Sequence, residues 1–145
     1  MASERGSDPG LARVPSVAIA IASATDVVTA RQRGRELAAK LGFSGGDQTV
    51  VATAISELAR NILEYARTGQ IELGVANRGS RIGIVVVALD AGPGIADISR
   101  AMQDGYSTGH GLGLGLPGVK RLMDEFAIVS APGEGTCVTV RKWTI

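Results

Sequence analysis

Alternating β-branched and small residues in Val17–Ile21 predict the first strand of this chain. A helical pattern follows, for which Thr25 or Asp26 is the predicted N-terminal cap and Leu41 the approximate end. The chain therefore opens with a strand that leads into a helix.

A second helix is predicted from a cap at Asp47 to about Ala66, because apolar residues recur there with the helical period of about 3.6. The residues of this stripe are Val51, Ala54, Ile55, Leu58, Ile62 and Tyr65.

The C-terminal half predicts strands joined by turns and two further helices. Residues 70–76 and 81–90 predict paired strands around a turn at 77–80. The remaining predicted elements are a short helix near 96–102, a helix over 113–126, and closing strands at 128–130 and 136–143. This order predicts an α+β fold, a mixed sheet with helices on one face.

Composition fits one domain over residues 16–145, after a polar stretch at 1–15 that we expect to be a flexible tail. The 15 basic and 14 acidic residues give no electrostatic case for nucleic-acid binding. No stretch reaches the ~18 apolar residues of a membrane span. The single cysteine, Cys137, allows no internal disulfide, which is compatible with a reducing cytosol. We expect a soluble, cytoplasmic protein.

The first candidate for chemistry is the pair Glu57 and Asn61, one turn apart on the second helix. Asparagine oxygen suits Mg²⁺, which keeps water and phosphate oxygens as its other ligands. Glutamate suits a base that accepts a proton from a hydroxyl. Taken alone, the pair also fits an ordinary solvated helix face.

The second candidate is Asp90, at the end of a strand, followed by Gly92 and Gly94. A carboxylate there accepts a hydrogen bond from an exocyclic amine, as adenine requires, and glycines let the backbone approach a flat base. An ordinary turn after a strand is the alternative interpretation.

The third candidate is the glycine-rich stretch at 111–116, immediately before a helix. Bare backbone amides at the positive end of a helix bind phosphate. The residues assigned to this cradle are Gly111, Gly113, Leu114, Gly115 and Leu116. Neither a dinucleotide fingerprint nor a Walker loop fits the context. His110, beside the cradle, is interpreted as an exposed loop residue rather than a catalytic one.

With these three patches in this order, the chain resembles the GHKL ATPases. Within them it is most similar to the small anti-sigma-factor-type serine/threonine kinases, including the switch kinases of stressosome pathways. The segments Ile55–Ile62, Gly105–Thr108 and Leu116–Phe126 carry this closer resemblance. It implies the Bergerat ATP-binding fold, with ATP and Mg²⁺ as cofactors.

The resemblance also implies individual roles. It makes Glu57 the general base, Asn61 the Mg²⁺ ligand and Asp90 the acceptor from the adenine amine, and it gives Thr136 a water-mediated contact to the base. One departure is that Gly109–Gly111 stands where related kinases often carry an arginine, so the source of positive charge at the γ-phosphate is open.

The function implied is phosphorylation of STAS-domain antagonist proteins in a partner-switching stress pathway, with activation of a PP2C-type phosphatase on release. The alternative is a non-catalytic, ATP-dependent binding module such as an anti-sigma factor. A detached catalytic domain of a histidine kinase is a third interpretation, which the short loop before the phosphate cradle disfavours.

Overall fold

The computed structural model describes residues 12–13, 17–95, 97–103 and 115–144, and these form one sheet with helices against it. The elements are β1 (Ala12–Arg13), β2 (Val17–Ile21), α1 (Ala24–Lys40), α2 (Gly45–Tyr65), β3 (Gly69–Arg78), β4 (Arg81–Asp90), α3 (Ile98–Ala101), α4 (Gly115–Leu122), β5 (Glu125–Ser130) and β6 (Thr136–Trp143).

The strands lie in the order β1-β3-β4-β6-β5, and β2 pairs with β3 along the same edge as β1. Every described pair is antiparallel, where the sequence predicts a mixed sheet. Two of these pairs, β3 with β4 and β5 with β6, are joined by short turns, which require antiparallel neighbours. The predicted α+β class is confirmed. Ala12 and Arg13, which the sequence assigns to the tail, pair with Asn77 and Ala76.

The core lies between the sheet and the helices. Alternate residues of β3, β4 and β6, such as Ile71, Val86 and Val140, are fully buried and belong to one core cluster with residues of α2. The helix α1 crosses α2 at Gly34, where a β-carbon would overlap Cδ1 of Ile55. No described helix is both long and apolar enough to cross a membrane.

Both long helices begin at a serine rather than at the predicted cap. The Ser23 hydroxyl accepts a hydrogen bond from the Asp26 N–H at 3.4 Å, and Ser44 does the same for Asp47 at 3.1 Å. The two acids lie in the first turn, where a negative charge stabilises the positive end of the helix. Predicting Asp47, or Thr25 or Asp26, as the cap was therefore wrong.

The predicted helix over 113–126 is too long, since α4 ends at Leu122 and β5 begins at Glu125. Asp124 ends the helical run. Its N–H donates to the Arg141 carbonyl at 2.9 Å, and its carboxylate accepts from the Trp143 N–H at 2.8 Å. These bonds tie the chain to β6 and start the strand.

Candidate functional site

A cavity of about 440 Å³ opens between α2, the end of β4, the loop that follows it, and the start of α4. Its volume is in the range of small-molecule sites. One stripe of α2 forms a wall, since Leu58, Asn61, Ile62 and Tyr65 follow the helical repeat. Ala88 of β4, on the inner face of the sheet, also lines it.

Three polar residues form a row across neighbouring strands beside the cavity. Asp90 of β4 pairs with Thr136 of β6, which pairs with Ser130 of β5. Asp90 and Thr136 line the cavity, and Ser130 lies outside its lining. One oxygen of Asp90 accepts from the Gly92 N–H at 2.9 Å, which orients the carboxylate. The sequence predictions for Asp90 and Thr136 therefore fall on one cavity wall.

The glycines after β4 allow close approach of neighbouring chain. Gly94 has a φ of 78°, and a β-carbon there would overlap the Ala131 carbonyl. A β-carbon on Gly92 would lie 2.6 Å from that of Ala66. Gly94 lines the cavity and Gly92 lies outside its lining. Contact with neighbouring backbone and with Ala66, the residue after α2, accounts for both glycines without a ligand.

Glu57 and Asn61, predicted as a pair, have different surroundings. Asn61 is half-buried and lines the cavity. Glu57 is only 6% exposed, lies outside the cavity lining, and binds Arg60, with 2.7 Å between Oε2 and Nη1. Its catalytic role remains a prediction.

The predicted phosphate cradle is only partly described. Gly111, Gly113 and Leu114 lie outside the described residues, as does His110. Gly115 and Leu116 are the first residues of α4, and both line the cavity. The N-terminal end of α4 therefore opens into the cavity, where its dipole favours an anion.

Some lining residues were missed by sequence reasoning. Asp97 and Arg100, at the two ends of the short helix α3, both line the cavity. Asp97 caps this helix by accepting from the Arg100 N–H at 3.0 Å. Their signal in the sequence is weak, because an Asp cap before a single helical turn is common. Ser130, which lies outside the lining, was missed as well, although its signal is stronger because it pairs with Thr136 across the predicted hairpin.

The donors at the cavity fit the groups that the resemblance implies. Asn61 offers one neutral oxygen, which suits a Mg²⁺ ion that keeps water and phosphate oxygens. Among the described residues there is no cluster of three or more His, Cys, Asp or Glu side chains that could hold a metal by itself.

Known proteins have sequences similar to this chain. Residues 21–142 match the model of the histidine kinase-like ATPase domain. The serine/threonine-protein kinase RsbT of Bacillus subtilis is 57% identical over 119 residues, which are 81% of this chain and 89% of that protein. An anti-sigma F factor of a Thermoanaerobacter species is 33% identical over 99 residues, 64% of this chain and 68% of that protein.

The fold also matches a solved structure. The RsbU and RsbW domains of Rv1364c from Mycobacterium tuberculosis align with a TM-score of 0.57 and 21% identity. The alignment covers 91% of this chain and 34% of that one, so this chain spans about a third of its length. The cavity, the order of its residues along the chain and these matches lead to one conclusion: the chain belongs to the histidine kinase-like (GHKL-type) ATPase domain family.

Proposed function

We propose that this protein is an ATP-dependent serine/threonine kinase that phosphorylates STAS-domain antagonist proteins in a partner-switching stress pathway and, when released, activates a PP2C-type phosphatase. The observation that carries the proposal is that Asn61, Asp90, Thr136 and the N-terminal end of α4 line one cavity. The 57% identity to a serine/threonine-protein kinase supports the type of reaction.

The cavity suggests the orientation of the nucleotide. Asp90 and Thr136 accept from the adenine amine at one end, directly or through water. Gly115 and the start of α4 stabilise the phosphates at the other. Asn61 holds Mg²⁺, which supplies neutralising charge to the phosphate oxygens when it is bound.

Glu57 is proposed as the base for the acceptor hydroxyl. Arg60 holds one of its carboxylate oxygens, and the other receives no hydrogen bond from the described residues. That second oxygen takes the hydroxyl proton while the serine or threonine oxygen bonds to the γ-phosphorus. The bond from that phosphorus to the bridging oxygen breaks, and ADP leaves with the electron pair.

A non-catalytic module that binds a partner, as an anti-sigma factor does, is the second candidate. It is favoured by the position of Glu57, which lies outside the cavity lining and is paired with Arg60. In this alternative ATP only shapes the surface that binds the partner.

Two substitutions separate the candidates. Asn61→Ala is expected to lose the Mg²⁺-dependent part of ATP affinity, and phosphoryl transfer is expected to be lost as well. Glu57→Gln is expected to keep Mg-ATP binding and slow phosphoryl transfer by ~10²–10⁴-fold. Glu64→Gln, at an exposed glutamate of the same helix, is the matched control and should behave as wild type.

The assay follows labelled phosphate from ATP to purified STAS-domain proteins and identifies the modified residue type. The kinase proposal is supported if phosphate is transferred to serine or threonine, and if Glu57→Gln and Asn61→Ala impair this transfer while Glu64→Gln does not. If the wild type labels no STAS-domain protein, and Glu57→Gln binds each partner as the wild type does, the binding module is the correct alternative.

A further inference from the structure

Ser130 of β5 places its hydroxyl against the loop after β4 and against the start of β6, beside Thr136 of the cavity. Its Oγ accepts from the Ile95 N–H at 2.8 Å, in the loop that lines the cavity. The same oxygen lies 2.9 Å from the Gly135 carbonyl oxygen and 2.9 Å from Thr136 Oγ1. Ser130 itself lies outside the cavity lining, so it acts through its neighbours.

The direction of these hydrogen bonds follows from counting protons. A serine hydroxyl donates one hydrogen bond and accepts two. The Gly135 carbonyl can only accept, so Ser130 gives its proton there. Ser130 then accepts from Ile95 and from the hydroxyl of Thr136. All four groups are satisfied in this arrangement.

The opposite direction is unfavourable. If Ser130 gave its proton to Thr136, the buried Gly135 carbonyl would lose the donor that reaches it within the described part of the chain. A buried carbonyl without a partner is costly. The Thr136 proton is therefore committed to Ser130.

The consequence concerns what the cavity offers to a ligand. Thr136 offers only lone pairs, and the Asp90 carboxylate beside it is also an acceptor. We propose that Ser130 is a specificity-determining residue that fixes Thr136 as an acceptor, so that the cavity selects a purine edge with an amino group and rejects one with a carbonyl. This inference rests on the proposed use of ATP.

The test compares ATP with ITP, in which a carbonyl replaces the 6-amino group of the purine. Calorimetry gives both dissociation constants and their ratio for each variant. In Ser130→Ala the Thr136 hydroxyl regains a proton that it can donate, so the preference for ATP is expected to fall about 3- to 10-fold. Ser130→Thr keeps a hydroxyl and should restore the preference.

Two controls separate this role from a loss of stability. Ser44→Ala removes the hydroxyl that caps α2, so it lowers stability through a site away from the cavity lining and should leave the ratio unchanged. In a Thr136→Val background, adding Ser130→Ala should have no further effect on the ratio, because the group that Ser130 orients is gone. Thermal melting of each variant shows that it is folded.

The outcomes are distinct. A wild type that prefers ATP, together with a Ser130→Ala variant of unchanged ratio, overturns this inference and leaves the kinase proposal standing. The inference is also overturned, and the kinase proposal also stands, if Ser130→Ala shifts the ratio of ATP to ITP affinity equally in the wild-type and Thr136→Val backgrounds. A wild type that binds ATP and ITP equally overturns the adenine assignment and this inference together.

Discussion

Replacement of Asp90 by asparagine tests the adenine assignment most directly. The carboxylate of Asp90 has two tasks, since one oxygen accepts from the Gly92 N–H at 2.9 Å and the residue also lines the cavity. An amide has a single oxygen and cannot serve both tasks. The amide of Asp90→Asn has two possible orientations. In one, its NH₂ group faces the adenine amine, so that two donors meet. In the other, the Gly92 N–H loses its acceptor.

The expected loss of ATP affinity follows from the number of hydrogen bonds that the amide cannot accept. One hydrogen bond to a charged acceptor is lost in either orientation, which costs about 1.5–3 kcal/mol. At about 1.4 kcal/mol for each factor of ten, ATP affinity falls about 10- to 100-fold. Preference for ATP over GTP falls as well, because the amide can donate to a purine carbonyl.

Calorimetric titration with ATP and GTP, in the presence of Mg²⁺, measures both effects. The matched control is Asp97→Asn, which removes the same charge from the same cavity. Asparagine caps helices as well as aspartate does, so α3 is retained and ATP affinity should change less than about 3-fold. The assignment of Asp90 to the adenine amine is refuted if Asp90→Asn binds ATP as tightly as wild type, or if the two variants lose affinity equally.

Three further predictions concern stability. Gly34→Ala should lower the free energy of unfolding in urea by about 1–2 kcal/mol, because its methyl group would overlap the fully buried Ile55; Gly46→Ala, with open space around it, should be neutral or stabilising, and an equal loss in both would contradict the packing explanation. Burial acts to raise the pKa of Glu125, but its hydrogen bond to an indole and two nearby arginines outweigh burial and hold the pKa below its ordinary value. The resulting stabilisation is present above the ordinary pKa and is lost as pH falls through the lowered one. The difference in melting temperature between wild type and Glu125→Gln should therefore shrink from about pH 6 to about pH 3, and a difference that stays constant would contradict this prediction. Removal of Met1–Val14 takes away the two-residue strand at the sheet edge and should lower the melting temperature only slightly with ATP affinity unchanged, whereas a large drop would show that this segment packs on the domain.

Local patterns in the sequence were enough to predict most of the elements. The strands Val17–Ile21 and Thr136–Trp143 have the predicted bounds, and the stripe of α2 with its 3.6-residue period is buried or lines the cavity. Each of these depends on neighbours within a few positions along the chain. Periodicity therefore carries the information without knowledge of the fold.

Element ends were less predictable, because several local signals compete there. Ser23 and Asp26 are both good caps, and only the backbone geometry of the formed helix shows that serine takes the capping position. The end of α4 depends on the bonds of Asp124 to β6, more than fifteen residues further along the chain. A helical period extrapolated past Leu122 cannot include that contact.

The sequence by itself determined the elements, the family resemblance and the candidates Asn61, Asp90 and Thr136, all of which line the cavity. Only the tertiary structure decided that Glu57 is paired with Arg60 outside the lining, that the cap of α3, Asp97, lines the cavity, and that the Ser130 and Thr136 hydroxyl oxygens lie 2.9 Å apart. The physical reason is that strand register and helix packing join residues that are far apart in the chain. Such contacts leave no periodic trace in the sequence, so the hydrogen-bonding neighbours of a side chain at the cavity are known only once the strands are paired.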